Sequence, residues 1–447
     1  MIQRLVDGWR RVRPIWFLVA SGLVTVMYAF PGHLNYDGSL QLQQARVNRY
    51  QDWHPPVMAR YWRVLDQLVA GPLLMLLLQT ALFLWGVYGL ARRRFSPRTS
   101  AQIAAVLLLF PPVLTPMAAV WKDTQMAGFI LAGIYLMLGD GWRRRSAGIA
   151  MLVLAAAVRD NGLAALPGLL LVVVAVWTPI AWWKRVALAA GLTIAIGGVA
   201  VLANVATTDT RSYAWFHTAA IYDIAGTMCH SAPMTDDEVR TELAGIVMRQ
   251  PKDLWANLCA SHNPLNWIPL VYGATPPFTE EAGPAERDAR RAAWLRVIRE
   301  HPGAYFRHRM QVMQLILGLA GETPEQPVIQ TVAGTNDQIR ALKLGTETSK
   351  FQRVIGRKLE KLANTNKMLF RPWVYVLLGL AMFGYAAVRR DGLIAGILTS
   401  GFLYEASYIV GAPGAGYRYS HWLIICVVLA MLMIFVERWR EGRRARA

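Results

Sequence analysis

Apolar and polar stretches alternate along the chain at the scale of a bilayer, not at the scale of a soluble helix or strand. Apolar runs fall at 14–30, 67–91, 101–120, 124–140, 147–158, 163–181, 186–206, 369–388, 392–410 and 421–436. The pattern predicts about ten transmembrane helices, with a kink in the third, where Pro111 and Pro112 sit. Between the seventh and eighth runs the chain is polar over 207–367, about the size of a small domain. Helical signals recur inside it. Thr235-Asp236-Asp237-Glu238 has capping-box spacing and opens a helix expected to stop before Pro251. Glu286 to Glu300 reads as a second helix. Pro302 opens a third, whose apolar positions Tyr305, Val312, Leu315 and Ile316 are expected to rest on the membrane surface. Lys350 to Lys367 is basic and amphipathic, and strand-like alternation is absent. The fold class is an all-α polytopic membrane protein in three parts: 1–206 with seven helices, a mostly helical external domain at 207–367, and 368–447 with three helices and a basic tail.

Charge orients these runs. The net charge is +19 over 447 residues, and the cations bracket the apolar runs. That placement favours topology over nucleic acid as the reason for the balance. Arg4, Arg10, Arg11 and Arg13 precede the first run. Arg92–Arg94 with Arg98, Arg143–Arg145, Lys184-Arg185, Arg389-Arg390 and the tail from Arg438 follow every second one. Both termini are therefore expected in the cytoplasm, and the alternate turns and the domain on the far side. The first run lacks a small-residue cleavage site and is expected to be retained. The Ala-, Arg- and Trp-rich composition points to a bacterium, which places the chain in the inner membrane with its external face in the periplasm. Cys229 and Cys259 share the external domain, where an oxidising compartment favours a disulfide over two free thiols. Cys426 lies in the last run and reads as packing.

The polar stretch between the first two runs, 31–66, is too long for a plain connection and mixes acids, bases and histidines. Residues 39–50 predict one surface helix. Pro55-Pro56 opens a second, with Val57, Tyr61, Val64, Leu65 and Leu68 on one face. Asp37 is placed either as a general base for a hydroxyl nucleophile or as the cap of the helix that follows. Lys122, Arg159 and Arg418 stand where three runs emerge on the side of Asp37. Together they form a phosphate site, or each snorkels or pairs with its neighbouring Asp123 or Asp160. Asp52 and His54 read as substrate-orienting or structural; a metal site there lacks a third ligand at fixed spacing.

These segments in this order resemble the GT-C superfamily of membrane glycosyltransferases, among them the bacterial relatives of the aminoarabinose and protein-mannose transferases. The resemblance rests on Tyr36-Asp37-Gly38, Asp52-Trp53-His54-Pro55-Pro56, Lys122-Asp123, Arg159-Asp160-Asn161-Gly162 and Tyr417-Arg418-Tyr419, and spans 14–206 and 368–436. It implies a polyprenyl-phosphate-linked sugar donor and an acceptor hydroxyl on a glycan, lipid or protein. Asp37 matches the position of the family's catalytic base; in the reaction expected here Lys122, Arg159 and Arg418 meet the donor phosphate, Asp52 and His54 orient the sugar or acceptor, and Asn161 joins the substrate-binding residues. Many members carry a second acid beside the first; here Asp37 has Tyr36 and Gly38 as neighbours. That departure favours a metal-independent reaction over one assisted by a divalent cation. Two other classes remain open: an O-antigen ligase or polymerase, using Arg307 and His308 of the external domain, and a flippase or transporter of lipid-linked glycans without catalysis.

Overall fold

The computed structural model describes residues 12–211, 213–280, 283–320, 341–344 and 348–446. The cations Arg4, Arg10 and Arg11 and most of the irregular stretch 322–347 lie outside the described residues. Among the described residues the chain is all-helical, with isolated β-bridges and no strand.

Every apolar run is helical. α1 (Pro14–Ala29) leads into the opening loop, which holds α2 (Tyr36–Val47) and α3 (Pro56–Leu68). α4 (Leu73–Ala91), α5 (Pro97–Leu109), α6 (Pro111–Met117), α7 (Lys122–Met137) and α8 (Trp142–Val158) follow. A 3-10 turn, Asp160–Ala165, passes into α9 (Leu166–Trp177), and α10 (Trp182–Thr207) reaches the external domain. That domain comprises α11 (Ala214–Cys229), α12 (Asp236–Glu242), α13 (Leu254–Ser261), α14 (Pro269–Tyr272), α15 (Pro284–Glu300), α16 (Pro302–Ile316) and α17 (Lys350–Thr365). α18 (Pro372–Val388), α19 (Gly392–Gly411) and α20 (His421–Arg444) close the chain. Pro14, Pro56, Pro97, Pro284, Pro302 and Pro372 each open a helix, where a missing N–H costs no hydrogen bond.

Among the described residues five helices are long and apolar enough to cross a membrane: α4, the Asp160–Trp177 pair, α10, α19 and Tyr417–Arg444. α5 and α6 make a sixth if their 72° bend at Phe110 is one broken span. That bend is the kink expected at Pro111-Pro112. α1 and α7 have 16 residues, and α8 and α18 have 17. At 1.5 Å per residue they rise ~24–26 Å, short of a hydrocarbon core of ~30 Å. Length alone therefore yields fewer spans than ten.

The basic turns gather at one end of the bundle. Arg94 meets Asp391, Arg93 donates to Leu138 O at 3.1 Å, and Arg389 pairs with Glu441 at 2.9 Å. Arg440 lies over Phe95 and Arg145 over Trp177. The opening loop and the external domain lie at the other end.

Two apolar cores form. One runs through the membrane helices, the other through α11–α15 of the external domain, and Trp267 packs against both. Cys229 is joined to Cys259 across α11 and α13, Cα–Cα 5.3 Å. The capping box at Thr235 forms as expected, but α12 ends at Glu242, because Gly245 turns the chain in the left-handed region at φ +85°. α16 begins at Pro302 as expected, yet Val312, Leu315 and Ile316 are buried against α11 and α19. The amphipathic pattern identified a buried face; what covers it is protein, not lipid. Arg309, also buried on α16, donates to Asp223 at 2.6 Å and to Ala412 O at 2.7 Å. It thereby fastens the domain to the end of α19.

Candidate active site

The opening loop is fixed against the start of α7. His33 N donates to Ala118 O at 3.0 Å, and Val120 N returns a bond to His33 O at 2.9 Å. Gly38 permits the approach, since a Cβ there would lie 3.0 Å from Val120 O. Gln79 donates to Met117 O and Ala119 O, and Thr124 donates to Gln79 at 3.1 Å. This buried network holds the broken segment that presents Lys122. Arg46 grips Asp66 with both arms of its guanidinium, at 2.9 and 3.0 Å, and locks α2 to α3. Of the two roles open to Asp37, capping belongs to another residue: Asn35 caps α2, its side chain accepting from Gly38 N at 3.0 Å.

Between these elements and the external domain lies a cavity of about 650 Å³. Asp37, His54, Lys122, Arg159, Asn161 and Arg418 all line it, although they come from segments up to 381 residues apart. Arg418 Nη1 meets Asp37 Oδ2 at 2.8 Å. Lys122 Nζ lies 2.7 Å from His54 Nδ1. A lysine ammonium has only protons to give, so that Nδ1 accepts and the neutral ring carries its proton on Nε2. Nε2 faces Asp37 Oδ1 at 3.7 Å. Burial opposes the charge on Asp37, but Arg418, His54 and Lys122 outweigh it and hold the carboxyl well below the usual carboxylate range. Burial, followed by the Lys122 charge, pushes His54 down to about 4 against the opposing pull of Asp37.

Arg159 is built in more firmly. Its Nη2 lies 3.3 Å from Asp123 Oδ1 and donates to Tyr408 OH at 2.8 Å; its Nε donates to Asn161 Oδ1 at 2.9 Å. Tyr404 donates to Asp123 at 3.1 Å, and Arg159 faces the Tyr419 ring at 5.5 Å. Arg159 thus pairs with Asp123, the chain neighbour of Lys122, while it still lines the cavity.

Asp52 does not line the cavity. Its carboxylate accepts from Tyr213 N at 3.1 and 3.0 Å, which pins the turn carrying Trp53 and His54. A short loop places neighbours on different faces, and Asp52 faces the domain linker. The lining also includes Tyr408, Tyr419, Trp53, Asn266 and Trp267. Tyr408 and Tyr419 stack at 4.7 Å, and Trp53 meets Trp267 at 5.5 Å. Tyr419 stood inside a quoted segment; Asn266 and Trp267 carried no local signal. Arg307 and His308 are away from the cavity: Arg307 donates to His230 O at 2.7 Å, and His308 is fully buried beside Asp223.

Comparison with protein-family models, with curated proteins and with solved structures returned no match.

Proposed function

We propose that this protein is a GT-C-type glycosyltransferase of a bacterial inner membrane, with ten spans, both termini in the cytoplasm and the cavity open to the periplasm. The observation that carries the reading is the convergence of one carboxylate and three cations on a single cavity where the membrane helices meet the external domain. The donor is a sugar on a polyprenyl phosphate, its tail among the membrane helices and its phosphate on Lys122 and Arg418, with Arg159 behind them. The acceptor hydroxyl oxygen attacks the anomeric carbon as the bond from that carbon to the phosphate oxygen breaks. The phosphate leaves with the bonding pair, the proton passes to Asp37, and the anomeric configuration inverts. In the resting site Arg418 suppresses the basicity of Asp37. A phosphate that takes Arg418 for itself restores that basicity as the reactants assemble. His54 turns its Nε2 proton toward the carboxylate at 3.7 Å, within reach of it once the carboxylate parts from Arg418.

The reaction needs no divalent metal in this reading. Asp37 is ringed by cations and His54 Nδ1 is occupied by Lys122, a donor set that disfavours an oxygen-seeking ion. The ligase reading loses support because Arg307 and His308 stand apart from the cavity.

The test is transfer of labelled sugar from a synthetic polyprenyl-phosphate donor to envelope acceptors, with variants matched for expression and melting. Asp37→Asn keeps the shape of the carboxylate but cannot take the proton, and should lose on the order of a hundredfold or more in rate. Near-normal turnover in that variant would remove Asp37 as the base. Absence of transfer by the wild type, with lipid translocation in its place, would favour the flippase.

A further inference from the structure

The walls of the cavity differ in charge. The membrane part supplies every charged lining residue, whereas the external domain supplies only Thr218, Leu265, Asn266, Trp267 and Ile268. A ligand group facing that second wall meets no counter-ion, so a phosphate or an acidic side chain is poorly matched to it. What the wall does offer is aromatic surface and an amide. Trp53 and Trp267 are both partly exposed, and Asn266 accepts from Ile268 N through Oδ1 at 3.0 Å, leaving its amide protons as donors.

Much of the backbone of this wall is already paired. Leu265 N donates to Asn263 Oδ1 at 2.9 Å, Asn266 N to Asn263 O at 3.2 Å, and Leu265 O accepts from Ala415 N at 2.8 Å. Trp267 O accepts from Leu270 N at 3.0 Å. An extended peptide that recognises its partner by backbone pairing finds little open edge here. A pyranose needs none: its apolar C–H face lies on an aromatic ring, whose π surface is electron-rich, and its hydroxyls bond to a side-chain amide. The loop is also held in shape before any ligand arrives, by Tyr222 OH donating to Pro264 O at 2.6 Å and by packing of Trp267 into both cores.

We infer that Trp267, with Trp53 and Asn266, forms an acceptor subsite that takes the terminal pyranose of an uncharged glycan. This rests on the transferase reading above and narrows its acceptor from any hydroxyl to a sugar. The charged wall holds the donor, and the neutral wall, carried by the domain that faces the aqueous side, holds the acceptor. Trp267 is a binding residue and takes no part in the proton transfer.

The experiment uses the full-length protein in proteoliposomes with a labelled polyprenyl-phosphate sugar. Acceptors are the glycan, lipid and protein fractions of envelopes from a strain lacking the gene. Wild type, Trp267→Phe, Trp267→Leu and Trp267→Ala are compared, with KM measured for donor and acceptor separately. Label is expected in protease-resistant saccharide. Acceptor KM is expected to rise about tenfold or more in the Leu and Ala variants and to stay near wild type in the Phe variant. Donor KM, which a collapsed cavity would also raise, stays unchanged in all. Leucine fills much of the space without an aromatic face, so a loss shared by Leu and Ala reports the ring. Label in protease-sensitive polypeptide overturns the inference and leaves the transferase intact, as does an unchanged acceptor KM or a parallel rise in both KM values. Label in the lipid fraction alone likewise overturns the inference and leaves the transferase intact, and no transfer by the wild type to any fraction overturns both.

Discussion

Asp37 and His54 sit within 3.7 Å of each other, yet the site sets their titrations outside the neutral range from opposite starting points. Asp37 is held well below the usual carboxylate range, because its cationic neighbours outweigh burial. The stability it contributes is complete above the unfolded carboxylate value and is lost only as pH falls through the depressed one. His54 is held at about 4, chiefly by burial, so the folded state favours the neutral ring. Its contribution is complete above ~6.5 and is lost as pH falls toward about 4. Between about pH 5.5 and 8 neither group changes charge, and kcat/KM for transfer should show no histidine inflection there. An inflection near ~6.5 that vanishes in His54→Asn would contradict this assignment. Most of the residues that meet at this point were legible in the sequence, because they stand near the ends of apolar runs; His54 was legible from the Asp52-Trp53-His54-Pro55-Pro56 segment instead. Asp37, Lys122, Arg159 and Arg418 are polar where lipid ends, and position along the chain already placed them on one side. Trp267 was not legible. It is one of 17 tryptophans, lies in an irregular stretch, and acquires its role only when the domain folds back on the loop at Gly414.

The cavity depends on two loops that clasp each other, 263–268 of the external domain and 412–416 after α19. Asn266 bridges to Gly414, and Ala415 N donates to Leu265 O at 2.8 Å. A Cβ on Gly414 would fall 2.5 Å from Leu265 O and 3.1 Å from Asn266 Cα, both backbone atoms. Gly414→Ala should therefore part the loops and lower stability by about 1–3 kcal/mol, read as a lower melting temperature of the detergent-solubilised protein. Melting and transfer equal to wild type would show that the clasp is dispensable. Helix starts are legible in the sequence where capping chemistry or proline marks them, as at Thr235 and Pro302. They are less so where packing decides. α2 begins at Tyr36, ahead of the expected 39, because Asn35 supplies the cap. On α3 the buried residues are Pro56, Met58, Ala59 and Trp62, whereas Val64 and Leu68 of the expected face are exposed. Periodicity gives a helix and a face, but which neighbour covers that face is a tertiary fact.

At the scale of the whole molecule, the ten-span arrangement asks more of α1, α7, α8 and α18 than their length gives. The shortfall against a ~30 Å core is ~4–6 Å, within the range that local thinning and polar residues at the helix ends accommodate. The charge pattern argues for the crossings. The cations after α4, α7, α9 and α18 and those of the tail share one end of the bundle through Arg94–Asp391, Arg93–Leu138, Arg145–Trp177 and Arg389–Glu441. Lys122, Arg159 and Arg418 gather at the cavity beside the external domain. A helix running from one group to the other crosses whatever separates them. The topology follows as a parity prediction, with α7 the short helix that decides it. Reporters active only outside the cytoplasm, fused after residues 95 and 140, should be silent, and one fused after residue 280 should be active. If α7 lay on the surface instead of crossing, the parity beyond it would invert: the fusion after 140 would be active and that after 280 silent, while that after 95 stayed silent. The reverse of the whole pattern would place the cavity and its acid–cation cluster in the cytoplasm, where lipid-linked donors displayed on the periplasmic face do not reach it.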